Sequence, residues 1–98
     1  MIVKNWQEIP PDPNWVEEEI VRLNTAVDQF AAAMKARLAD KARAGWTGWD
    51  DPSNVNTIHT ALLAHAAGVP LAAGQEVDVA NFAMMLWHLR QGGPVHGY

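Results

Sequence analysis

Three polar side chains interrupt the otherwise apolar stretch between residues 77 and 89, and their types suit bonding to other side chains, to a ligand or to a metal ion. They are Asp78, Asn81 and His88. Because each residue of an α-helix advances about 100°, the three fall within one sector of about 80°. An unpaired carboxylate in apolar surroundings is costly. The pattern therefore predicts a buried helix whose polar stripe meets other side chains, a ligand or a metal ion.

The composition narrows the class of protein to a small globular one. The chain has 98 residues, which suggests one domain, and 49% of them are hydrophobic, which excludes a disordered chain. The net charge of −4 argues against nucleic acid as the main partner. The absence of cysteine excludes disulfides and thiolate chemistry. With no long apolar run and no signal peptide, we expect a cytoplasmic protein without a membrane partner.

A long amphipathic helix must support this stripe. Residues 1–13 predict an extended arm because prolines at 10, 11 and 13 cannot lie inside a helix. The helix then begins at Asp12 followed by Pro13, or at Asn14 with Glu17 as a capping box. Its apolar residues recur every three or four positions: Val16, Ile20, Leu23, Val27, Phe30, Met34 and Leu38.

The length of this helix leaves two alternatives open. Unbroken from residue 14 to residue 44, it would be roughly 45 Å long, which is too long for a compact domain of this size. Either it breaks at Asn24–Thr25, or its apolar face packs against another subunit. Gly45 is expected to end it.

The segment that follows, from Gly45 to Asp50, repeats a Gly-Trp pair and is typical of a loop. Trp46 and Trp49 either cover the end of the core or form a base-stacking platform, on which Asp50 or Asp51 places a cation or bonds a ribose. The basic residues at the end of the preceding helix form either a solvated face or a phosphate clamp. They are Lys35, Arg37, Lys41 and Arg43.

Two more helices complete the predicted domain. One runs from about residue 54 to Gly68 and contains His59 and His65, which lie six residues apart and cannot jointly bind one metal ion. His65 is expected to face inward. The last helix runs from about Gln75 to Gln91, and residues 92–98 form a mobile tail. No strand pattern is present. The sequence predicts an all-α bundle of three or four helices over residues 14–91.

These motifs together resemble MazG-like all-α nucleoside triphosphate pyrophosphohydrolases, most closely the small phage-encoded members. The resemblance covers roughly residues 26–90 and rests on the Phe30, Met34, Leu38 spacing, the Gly-Trp loop and the stretch from Val77 to Met85. It implies Mg²⁺ ions held by a Glu pair on one helix and a Glu-x-x-Asp pair on the next, which activate water and release pyrophosphate. It also implies dimers or dimers of dimers, with sites between subunits.

The chain departs from the family at its metal ligands. Asp78 matches the family's aspartate, but Gln75 stands where a glutamate is expected, and residues 57–67 contain no acid. Mg²⁺ requires several hard oxygen ligands. The resemblance therefore implies a phage-encoded protein that binds or sequesters a nucleotide or nucleotide-derived immune signal, as an anti-defence sponge, without efficient hydrolysis.

Two alternatives remain beside this interpretation: a metal-dependent pyrophosphohydrolase and a helical protein-interaction module. The expected partners are a nucleotide and a second copy of the chain, and the expected cofactor, if any, is Mg²⁺ on Asp78. The predicted ligand-binding residues are Lys35, Trp46, Trp49, Asp50, His65, Asp78, Asn81 and His88.

Overall fold

The computed structural model describes residues 8–68 and 72–92, and these ranges are helical apart from their connections. The elements are α1 (Pro13–Arg43), a 3-10 turn (Pro52–Asn54), α2 (Val55–Ala66) and α3 (Gln75–Gly92). The prediction of an all-α fold is confirmed, since no strand occurs in these two ranges. Most of the predicted N-terminal arm and C-terminal tail lie outside the described residues. Within the described part, every helix is too short or too polar to cross a membrane.

Helix α1 begins after Asp12, which is the first of the two N-terminal caps predicted from the sequence. Asp12 Oδ1 accepts a hydrogen bond from the Asn14 amide at 2.7 Å, and Pro13 is the first helical residue. Proline suits this position because its missing N–H would have no partner there. The cap therefore comes from the Asp-Pro pair, and not from Asn14 with Glu17.

Helix α1 then continues without a break through Asn24–Thr25. Thr25 Oγ1 donates to the Val21 carbonyl oxygen at 2.8 Å, so its hydroxyl bonds within the helix and does not cap a second one. Of the two explanations for the length of this helix, the internal break is therefore wrong. A partner for its apolar face stays a prediction.

A glycine turn ends α1 as predicted. Gly45 has a φ of +98°, which residues other than glycine rarely adopt. Its amide donates to the Ala42 carbonyl, and the Trp46 amide donates to the Lys41 carbonyl, both at 3.0 Å. This pair of bonds is a Schellman motif, which satisfies carbonyl groups that the helix leaves free. It also fixes the direction in which the chain enters the Gly-Trp loop.

The core lies between α2 and α3, where Ile58 and Leu89 are buried. Helix α1 contains no buried residue, and its two halves differ. Every residue from Ile20 to Phe30 is exposed, whereas partly buried residues recur toward the C-terminal end, where α1 meets α3. We call residues 13–30 the projecting half and residues 31–43 the docked half. The partly buried residues of the docked half are Ala31, Met34, Leu38 and Ala39.

Candidate functional site

Asp78, the first member of the polar stripe on α3, is paired with an arginine of α1. Arg37 Nε donates to Asp78 Oδ1 at 2.9 Å, and Arg37 Nη2 donates to Oδ2 at 3.3 Å. The Asp78 side chain is 15% exposed and that of Arg37 48% exposed. The hydrogen bond to Asp78, and then its charge, raise the pKa of Arg37. The bidentate pair joins α1 to α3 and supplies the carboxylate with the partner that its position demands.

Asn81, one turn further along α3, is the most buried polar residue in the described ranges, at 3% exposure. Its Nδ2 donates to the Met34 carbonyl oxygen at 3.3 Å. Its Oδ1 is also buried but has no hydrogen-bond partner among the described residues. A buried acceptor without a partner is costly. Asn81 therefore joins α3 to α1 through its amide nitrogen, while its buried amide oxygen has no partner among the described residues.

The stripe ends at His88, which meets the Gly-Trp loop. The rings of His88 and Trp49 lie 4.8 Å apart between centroids and are inclined by 54°. His88 is half-buried, while 39% of Trp49 is exposed. Asp78 and Asn81 thus contact α1, whereas His88 contacts the Gly-Trp loop. One side of the Trp49 ring packs on the end of the helical bundle through His88, and the rest of the side chain is exposed to solvent.

His65 packs against α3 as an inward-facing residue, which the sequence predicted. Its ring meets that of Phe82 edge-on with centroids 5.0 Å apart. Its Nδ1 lies 2.8 Å from the Ala61 carbonyl oxygen of its own helix. One ring nitrogen is therefore occupied locally, and the aromatic contact fixes the ring. The described contacts give His65 a packing role, because neither of them involves the polar stripe.

The Gly-Trp loop is held in a defined conformation by two polar side chains. Gly48 adopts a φ of +90°, and its carbonyl oxygen accepts from Asn54 Nδ2 at 2.8 Å. Asp51 Oδ1 accepts from both the amide and the hydroxyl of Ser53, at 2.9 and 2.8 Å. These bonds, the amide first, lower the pKa of Asp51. Asp51 is thus the cap of the 3-10 turn, whereas Asp50, which is also exposed, has no capping role.

Trp46 is the most exposed large apolar residue of the described chain, at 68%. The Schellman motif nevertheless fixes its backbone, and Lys41 Nζ lies 5.2 Å from the centroid of its ring. This distance suits a cation–π interaction. Lys35 is also exposed and lies on α1 about 9 Å before Lys41 along the helix axis. Trp46, Trp49, Lys41 and Asp50 form what we call the loop platform.

The residues around Asp78 do not fit the metal site that the family resemblance implies. Gln75 Oε1 accepts from the Ala72 amide at 3.1 Å, and Glu76 Oε1 accepts from the Gly74 amide at 2.8 Å, so both side chains bond to the turn that precedes α3. Across residues 8–68 and 72–92, no three histidines or acids come together in a way that could hold a metal ion. We therefore derive no metal-assisted step, and Mg²⁺ on Asp78 stays a prediction.

A shallow groove of about 480 Å³ lies between α1 and the start of α3. Its charged residues are Arg37, Asp40 and Asp78. Because one guanidinium stands beside two carboxylates, the groove offers an anion no excess of positive charge. A phosphate group would find better surroundings on the exposed lysines of α1. Among the described residues, positively charged side chains are therefore better placed to bind a phosphate group on the loop platform than in the groove.

Sequence reasoning missed Arg37 as the partner of Asp78, because it treated this arginine as part of a basic helix end. A signal was available: Arg37 comes three residues after Met34 and so lies on nearly the same side of α1. Comparisons with known proteins add no assignment, since no protein-family model, curated protein or solved structure matches the chain. The molecule is therefore defined by its class, a small all-α fold, and by the geometry above.

Proposed function

We propose that this chain binds a nucleotide or a nucleotide-derived molecule on the loop platform and holds it without efficient hydrolysis. One observation carries the proposal: Trp46 is 68% exposed, yet it is fixed on a helix-capping turn with an ammonium group 5.2 Å from its ring centre. A flat aromatic face is suited to stack on a base, and a neighbouring cation is suited to phosphate. The two features occur together at one end of α1.

The rigidity of the platform supports binding. Trp46 follows the Schellman turn directly, and the carbonyl of Gly48 is fixed by Asn54 Nδ2 at 2.8 Å. A site whose backbone is already ordered loses less conformational entropy when a ligand arrives. Trp49, which rests on His88 and is 39% exposed, gives the ligand a second aromatic surface within three residues of the first.

The predicted ligand-binding residues divide into two groups. Lys35, Trp46, Trp49 and Asp50 expose surface to a ligand. His65, Asp78, Asn81 and His88 bond to or pack against other parts of the chain. Of these four, His88 contacts the platform, through Trp49. The absence of efficient hydrolysis follows from the state of Asp78. Both its oxygens are bonded to Arg37, and a metal ion would have to displace that guanidinium.

The proposal is tested by equilibrium dialysis against nucleoside triphosphates, cyclic dinucleotides and ADP-ribose in magnesium buffer. The protein is then heat-denatured, and the released ligand is identified by chromatography. We expect at least one compound to be retained and recovered intact. Trp46→Ala should weaken its binding about 5- to 150-fold, since stacking on an aromatic side chain contributes about 1–3 kcal/mol per base.

Trp87→Ala is the matched control, because Trp87 is 61% exposed but lies on α3 outside the platform. This variant should bind as well as the parent chain. Equal losses in both variants, or no retention of any compound, would overturn the proposal. Appearance of monophosphate and pyrophosphate would favour the pyrophosphohydrolase alternative instead.

A second candidate function, a helical protein-interaction module, is favoured by the projecting half of α1. Its apolar residues Ile20, Leu23 and Val27 are 43%, 45% and 62% exposed. Contiguous apolar surface on a small protein marks a site of association. This function does not compete with ligand binding, because the projecting half and the loop platform belong to opposite ends of α1.

A further inference from the structure

The projecting half of α1 carries an apolar face that the described chain leaves largely open. Ile20, Leu23, Val27 and Phe30 fall within a sector of about 80° on the helix, and they are 43%, 45%, 62% and 37% exposed. The four side chains extend over about 15 Å along the axis. Large apolar side chains at this spacing form the kind of ridge against which an amphipathic helix packs.

The charged residues that border this face within the projecting half are both acids. Glu17 and Glu19 lie on opposite sides of the face, about 100° and 60° from its centre. Arg22 and Asp28, one base and one acid, lie further round the helix, about 120° to either side. The remaining border positions are uncharged: Pro13, Trp15, Asn24 and Ala26. The border of the apolar face is therefore negative.

This border selects among the classes of partner. A nucleic acid or an anionic lipid surface would bring its phosphates beside Glu17 and Glu19, which is unfavourable. A second copy that met the face with its own projecting half would bring the same two acids. Its only base in that half would be Arg22, which already donates to Glu19 at 2.9 Å. A helix with lysine or arginine beside its own apolar stripe would instead complement both acids.

We propose that the projecting half binds a basic amphipathic helix of a different protein. The apolar stripe of that helix covers Ile20, Leu23 and Val27, and its lysine or arginine side chains lie beside Glu17 and Glu19. Burial of the apolar side chains supplies binding free energy, and the two acids set the preference for a basic partner. The proposal rests on the second candidate function, the protein-interaction module, and specifies the chemistry of its partner.

The probe for this surface is a synthetic helical peptide of about 18 residues, which is five turns, with leucine at every third or fourth position and lysine beside the leucines. A matched peptide carries glutamate in place of each lysine. Fluorescence anisotropy of the labelled peptides, titrated with the full-length chain, gives both dissociation constants. We expect the lysine peptide to bind at least tenfold more tightly at low salt, and the ratio to fall as salt is added.

Two pairs of variants separate the apolar face from its acidic border. Val27 and Val21 are 62% and 63% exposed, but they point about 120° apart around the helix. Val27→Ser should weaken binding of the lysine peptide about tenfold, whereas Val21→Ser should leave it unchanged. Glu17→Gln should reduce the preference for lysine over glutamate. Asp50→Asn, which removes an exposed acid just beyond the other end of α1, should not.

Circular dichroism of each variant should show the helix content of the parent chain, since none of these positions is buried. Equal binding of the two peptides, or equal losses in the two valine variants, would overturn the basic helix as the partner while leaving an interaction module in place. A parent chain that forms a dimer in sedimentation equilibrium, disrupted by Val27→Ser, would do the same. Binding of neither peptide by a monomeric parent chain would overturn both the partner and the module.

Discussion

The two halves of α1 share one apolar stripe, yet one half is docked on α3 and the other projects. In the docked half the main chain at Met34 accepts a hydrogen bond from Asn81, and Arg37 is bonded to Asp78. In the projecting half the side-chain bonds stay local, from Arg22 to Glu19, from Thr25 to the Val21 carbonyl and from Trp15 to the Pro10 carbonyl. Periodicity therefore identifies the face that needs a partner, but not how much of that face the chain itself can cover.

The largest expected contrast is between two leucines. Leu89 of α3 is 8% exposed and Leu23 of the projecting half is 45% exposed. Leu89→Ala should lower the free energy of unfolding by about 2–4 kcal/mol, because it leaves a cavity in the core. Leu23→Ala should cost less than about 1 kcal/mol in dilute protein, because its side chain is already largely exposed to solvent. Urea denaturation monitored by circular dichroism measures both. Equal losses in dilute protein would mean that the projecting half is not an open surface.

Next in size is the contrast between two ion pairs. Asp78→Asn removes the charge that Arg37 meets across α1 and α3, whereas Glu19→Gln removes an exposed pair with Arg22 inside one helix. We expect the first change to lower the melting temperature by several degrees, because it leaves Arg37 without its partner between two helices. The second should leave the melting temperature nearly unchanged. A larger decrease in melting temperature for Glu19→Gln than for Asp78→Asn would show that the more stabilising ion pair lies in the projecting half.

A smaller contrast separates two glycines of the loop after the docked half. Gly45 and Gly48 both have positive φ, at +98° and +90°, so alanine at either should cost about 1 kcal/mol. A Cβ at Gly48 would lie 3.0 Å from Asn54 Nδ2, while at Gly45 it would meet nothing within 4 Å. Gly48→Ala should therefore be the more destabilising in thermal unfolding. The reverse order would show that Asn54 does not constrain the loop.

The smallest expected effect is a pH dependence of this loop. Ser53 lowers the pKa of Asp51 in the folded chain, so the unfolded chain binds the proton more readily. This contribution to stability is complete above the ordinary aspartate pKa of about 3.9 and is lost as the pH falls through the lower folded value. NMR titration of the Ser53 amide follows the change. In Asp51→Asn the acidic transition of that amide should disappear, and its persistence would assign it to another group.

Local signals were sufficient to predict the elements. The Asp12–Pro13 start was one of the two predicted starts of α1, and the Gly45 end was predicted outright, because caps depend on neighbouring residues alone. The same Asp-Pro pattern recurs at Asp51–Pro52, where it caps the 3-10 turn, and this second occurrence was available in the sequence but was not used.

The partners of the polar stripe could not be predicted in the same way. Asp78 and Arg37 lie 41 residues apart, and Asn81 and Met34 lie 47 residues apart, so their pairing depends on how α3 returns to α1. The choice between the two interpretations of the tryptophans, as cover for the core or as a stacking platform, also required knowledge of the fold. Trp49 covers part of the bundle end through His88, whereas Trp46 is left in solvent. Neither outcome follows from the repeated Gly-Trp pair, because the two copies are alike in sequence.

Because helix α1 is long and unbroken, a small change in its tilt displaces its far end by a large distance. Its 31 residues span about 46 Å, and its contacts with α3 through Met34 and Arg37 lie toward one end, where the Arg37–Asp78 pair can be taken as a pivot. Pro13 lies about 36 Å from that pivot along the axis. A tilt of about 10° at the contact therefore displaces the tip by about 6 Å, a distance greater than one helical turn. A small rearrangement beside α3 would thus produce a larger displacement at the far end of the same helix.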